Sequence, residues 1–153
     1  MSRAARNLTT PLAPRLVGHW TLVSFEIVSG GQTDYPFGRD PIGRITYDAT
    51  GHMAVQIMNA GRPAFTSDDQ AAGTAGEVSA AFHGYVAYYG TYSVDEDARV
   101  VTHRLTGSLF PNWIGSEQRR EIVLEGDRLT LSTPPMLFQG KDRVFRALWK
   151  RLE

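Results

Sequence analysis

Cysteine is absent from the 153 residues. A disulfide scaffold, a thiolate nucleophile and a Cys-based metal site are thereby excluded, and the balance leans towards a reducing, cytoplasmic setting. An excess of one charge is also missing: sixteen Lys and Arg face sixteen Asp and Glu. With no surplus to pair with phosphates, a nucleic-acid partner is not expected. No apolar run approaches the roughly 18 residues of a membrane span. The arginines of MSRAARNLTTPLAPRL are followed by no apolar stretch of signal-peptide length. There is no G-x-S-x-G elbow, no P-loop and no dinucleotide fingerprint, which disfavours serine hydrolase chemistry and nucleotide cofactors. The histidines at 19, 52, 83 and 103 lack the close spacing of a zinc site, so no metal is expected. A haem held by a single histidine is a weaker alternative, and the expectation is of no cofactor at all.

What remains is an ordinary globular composition, 42% hydrophobic and 21% charged, in a chain long enough to bury a core of its own. Residues 1–14 read as a polar, Pro-containing, flexible arm, and residues 15–153 as one domain. Eight runs rich in β-branched and aromatic residues follow: 16–28, 44–47, 52–58, 85–94, 99–106, 117–124, 128–133 and 143–152. Turn clusters such as Ser29-Gly30-Gly31 and Glu125-Gly126-Asp127 separate them. Only Glu77–Phe82 has helical spacing, with Val78, Ala81 and Phe82 on one face. The expected fold is all-β: about eight antiparallel strands closed up-and-down into a barrel, with one short helix and room for one small ligand.

Strand parity then assigns faces. His103 shares the inward set of Val101 and Leu105, and Arg120 that of Ile122 and Leu124. Val86, Tyr88, Gly90, Tyr92 and Val94 form the better interior face of their strand, with Gly90 marking a bend or a close approach by a ligand. In His52–Met58 parity leaves two options. Met53, Val55 and Ile57 would fill a packed core, whereas Ala54, Gln56 and Met58 would line a partly polar cavity. The aromatic loop around Phe110, Asn112 and Trp113 either lids the mouth or plugs the closed end.

Two features carry a family resemblance. Gly18-His19-Trp20 resembles the Gly-x-Trp with which lipocalins open their barrel, and implies a Trp20 at the base stacked beneath Arg151. More specific are Asp40-Pro41-Ile42-Gly43, Tyr47, Gly51-His52-Met53, Gln56-Ile57-Met58, Ala87-Tyr88, Gly90-Thr91-Tyr92, His103 and the run Gly107–Gln118. Across residues 16–152 they resemble the bacterial and fungal lipocalin-like domain family. The resemblance implies a calycin-type barrel. The wider group includes carriers as well as cofactor-independent isomerases and cyclases, so it implies no single activity.

The resulting expectation is a barrel that binds a small hydrophobic metabolite of polyketide-, terpenoid- or oxylipin-like character and acts on it as a cofactor-free isomerase or cyclase. Arg120 and Tyr88 would hold a substrate oxygen and stabilise developing negative charge, and His103 would shuttle a proton. Tyr47, Gln56, Met58, Tyr92, Phe110, Trp113 and Glu117 are the expected ligand-binding residues. The alternative is a non-catalytic carrier or sensor with the same cavity. A homodimer fits either reading.

Overall fold

Alternation of apolar and polar residues makes each strand one-faced, and closing the sheet buries that face without leaving an edge. The computed structural model describes residues 10–152. In it eight strands close the barrel: β1 (Gly18–Ser29), β3 (Ile42–Tyr47), β4 (His52–Met58), β5 (Tyr85–Asp95), β6 (Val100–Ser108), β7 (Glu117–Glu125), β8 (Arg128–Ser132) and β10 (Lys141–Arg151). Each strand expected from the sequence is present, its ends shifted by at most two residues. All ladders are antiparallel, and β1 pairs with β10 from Trp20↔Arg151 to Val28↔Val144 to complete the ring.

Two short strands were not anticipated. β2 (Gln32–Asp34) folds back on β1 and β9 (Met136–Phe138) on β10. Three-residue strands show no periodicity, so only the pairing reveals them. Both sit at one end of the barrel, together with helix α2 (Ala75–His83) and the β6–β7 loop. α2 is set by a capping box: Thr74 accepts from the Glu77 amide, and the Glu77 carboxylate accepts from the Thr74 amide. Glu77 also accepts from the Thr66 amide at 2.7 Å, fastening the preceding loop to the helix.

The opposite end is shut. Helix α1 (Leu12–Leu16) lays Leu12 and Leu16 into the core, both almost fully buried. The amides of Leu12 and Ala13 donate to the Glu96 carboxylate at 2.7 and 3.0 Å, a charge on the helix start supplied by the β5–β6 turn. This corrects the expected arm. Residues 12–14 belong to the domain because two leucines four apart give α1 an apolar face to bury; residues 1–9 lie outside the described residues.

Trp20 sits directly above α1, donating from its indole N–H to the Leu16 carbonyl at 2.9 Å. The Arg151 guanidinium lies 4.2 Å from the Trp20 ring centroid and donates to the Val17 and Arg15 carbonyls. Gly18 has φ +135°, and a Cβ there would lie 2.8 Å from Arg151 Nη1. The Gly-x-Trp pattern therefore has a mechanical reason: the glycine clears the path of the arginine that locks the base.

Gly90 marks a bend in the sheet rather than a gap for a ligand. The β5–β6 register shifts between Tyr89 and Gly90, and a Cβ at Gly90 would come 1.8 Å from the Arg104 carbonyl oxygen.

Arg151→Met keeps the aliphatic bulk but removes the cation–π contact and leaves two carbonyls without their donor. A loss of roughly 2 kcal/mol is expected, read as a lower urea midpoint at unchanged m-value. An unchanged midpoint would mean that leucine packing alone holds the base.

Candidate functional site: the barrel cavity

Between the sealed base and the looped end lies a cavity of about 1000 Å³. It is at the upper end of the volumes usual for small-molecule sites. Ile45, Val55, Ile57 and Leu131 form apolar wall, and Phe25, Phe37, Phe110, Trp113, Phe138 and Phe145 ring the mouth. The β6–β7 loop that carries Phe110 and Trp113 is thus on the mouth side and does not plug the base. Its two rings meet edge to face with centroids 5.4 Å apart, and Trp113 also meets Tyr88 at 6.3 Å.

Inside the cavity, His103 and two phenols form one connected polar chain. His103 is 1% exposed, and its ring lies between two phenols. Tyr47 Oη is 2.6 Å from Nε2, and Tyr88 Oη is 2.9 Å from Nδ1. Burial, aided by the nearby Arg120 charge, pushes the imidazole pKa down to about 3. The ring is therefore neutral near pH 7, with one nitrogen donating and the other accepting.

Which nitrogen does which follows from Tyr47. This phenol is buried, and among the described residues its hydroxyl meets only His103. A buried O–H needs an acceptor, so Tyr47 donates to Nε2, and Nδ1–H donates to Tyr88. The Tyr88 hydroxyl proton is then left to point at the cavity. Burial holds both phenols protonated, raising Tyr47 well above its ordinary pKa and raising Tyr88 as well. Arg120 opposes the rise at Tyr88 through its charge and a hydrogen bond. The cavity wall thus offers donors, Tyr88 O–H and Arg120 N–H, to any acceptor oxygen.

Of the residues expected from the sequence, Tyr88, His103, Arg120, Phe110 and Trp113 come together around this cavity. Tyr47 stands behind His103 and supports it. Four others do not reach it. Gln56 and Met58 face outward, because the alternative set Met53, Val55 and Ile57 buries more apolar surface; the Met58 sulfur instead accepts from Arg62 Nη2 at 3.6 Å. Tyr92 is inward but too near the base, where its hydroxyl donates to the Asp48 carbonyl at 2.6 Å and its ring packs on Tyr47. Glu117 lies outside the barrel, paired with Arg104. Sequence reasoning missed Arg143, Phe145 and Trp149, which line the cavity from β10. Their odd-number spacing along the last strand was the available signal.

A family model described as a lipocalin-like domain matches residues 17–152. The chain belongs to the lipocalin-like domain family. One relative of this lipocalin-like barrel is the 4'-hydroxy-3'-methoxypropiophenone carrier protein of Aspergillus oryzae, 34% identical over 107 residues, which cover 65% of this chain and 96% of the relative. Among the described residues of the barrel, no helix is long and apolar enough to cross a membrane.

The His103 environment has a consequence for stability. Its folded pKa lies below the unfolded value near 6.5, so as pH falls the unfolded chain takes up a proton that the folded chain refuses. This contribution is fully present above about pH 6.5 and is lost progressively towards pH 3. Between pH 6.5 and 5, before most carboxylates titrate, the loss of stability from this residue is expected to steepen from about 0.7 to about 1.4 kcal/mol per pH unit. Urea unfolding of the intact protein and of His103→Gln checks this: the variant should lose the slope in that window. An equal slope in both would place the imidazole in contact with water.

Proposed function

We propose that the protein is a carrier of a small, mainly apolar metabolite that bears a carbonyl or phenolic oxygen. The observation behind this reading is the donor pole of Tyr88 and Arg120 deep in a mainly apolar, open-mouthed cavity. Such a pole favours an acceptor oxygen, and the surrounding aromatics suit a flat or aromatic body. The relative named as a carrier of an aryl ketone supports the same ligand class.

Catalysis is the second reading, as a cofactor-independent isomerase or cyclase. What favours it is the convergence of Tyr88 and Arg120 on one region, where they would stabilise an enolate oxygen. A proton shuttle at His103, the expectation from the sequence, does not fit this chemistry at neutral pH. With a pKa near 3 and both nitrogens engaged by phenols, the imidazole is a positioning residue that aims the Tyr88 hydroxyl.

Titration with 4'-hydroxy-3'-methoxypropiophenone, followed by tryptophan fluorescence, tests the proposal. Saturable one-to-one binding is expected, weakened about tenfold in Tyr88→Phe or Arg120→Gln. The ketone should be recovered unchanged after long incubation. A new product would favour the isomerase or cyclase reading, and no binding of this or any extracted host metabolite would sink the carrier.

A further inference from the structure

The cavity lining holds two guanidinium groups, and among the described residues neither is paired with a carboxylate. Arg120 donates to uncharged acceptors, the Arg119 carbonyl at 2.9 Å and Gln118 Oε1 at 3.3 Å. Arg143 stands on β10 in the same inward register as Phe145 and Ala147, opposite Met136 of β9, which places it at the mouth. It is half-buried, and its Nε is buried with no hydrogen-bond partner. Among the described residues no carboxylate lies within 4.0 Å of it. The pairs that do form are Asp48 with His52, Glu117 with Arg104, Asp127 with Arg128 and Glu26 with Arg146. The lining contains one carboxylate, Asp34, which is exposed on β2.

A half-buried cation without a counter-ion is costly, and an anion brought beside it relieves that cost through charge-assisted hydrogen bonds. Low-dielectric walls strengthen the preference. We propose that the cavity selects ligands carrying a negative charge, as a carboxylate or an acidic phenol or enol, and that Arg143 holds that charge at the mouth. This rests on the ligand-binding reading above and adds the ligand's charge and orientation: anionic group outward at Arg143, acceptor oxygen inward at Tyr88 and Arg120. The apolar body lies between them.

Two fluorescent dyes of nearly identical body separate the terms. 1-Anilinonaphthalene-8-sulfonate carries a sulfonate, and N-phenyl-1-naphthylamine does not. In Arg143→Gln the sulfonate dye should bind roughly tenfold more weakly, while affinity for the neutral dye stays unchanged. Retained binding of the neutral dye also shows that the variant is folded. Arg104→Gln, a charge removal on the outer face, should alter neither affinity. If Arg143→Gln leaves the sulfonate dye unaffected, or weakens both dyes equally, the charge selection is wrong while cavity binding stands. Failure of the intact protein to bind either dye would overturn both.

Discussion

Everything inside this protein depends on the seam between β1 and β10. Their ladder runs from Trp20↔Arg151 at the base to Val28↔Val144 at the mouth. It turns a sheet with two raw edges into a ring. Once the ring exists, every second residue of eight strands must face inward, whatever its chemistry. That constraint carries Arg120 and His103 into a low-dielectric interior that neither would occupy alone. The same seam delivers Arg151 over Trp20, so closing the ring and sealing its base are one event.

The cost of bringing polar groups inside is met by connecting them. His103 uses both ring nitrogens on phenols, and Tyr47 uses its single proton on His103. The donor capacity of this chain emerges on the cavity side of Tyr88, beside Arg120. A buried network in which only the outermost proton is unpaired is rigid and directional. The result is a fixed inner pole in a site whose walls are mainly hydrocarbon.

The barrel was legible because strand rhythm and turn residues are local signals. The inward roles of His103, Arg120 and Tyr88 followed from parity, which is local too. Gln56 and Met58 were misplaced because parity in His52–Met58 is undecided until the neighbouring strands choose a face. Tyr92 was given the correct face but not the correct depth; distance from the base depends on barrel stagger, which a single strand does not encode. Glu117 begins its strand on the outward parity, paired with Arg104 across the β6–β7 ladder. Arg143 was overlooked because its weight comes from the carboxylates that are not near it, a property of the assembled neighbourhood. α1 escaped notice since five residues with two prolines nearby resemble a tail until Glu96 and the barrel floor are present to receive them.

Among the described residues, that floor leaves the barrel open at one end. With Leu12, Leu16, Trp20 and Arg151 filling one end, a guest in the cavity would enter and leave by the same mouth. The time it stays is then a property of the threshold as much as of its grip on Tyr88. Phe110, Trp113, Phe138 and α2 form that threshold. A ligand held at Tyr88 and Arg120 would meet the solvent, or any partner, only at that rim.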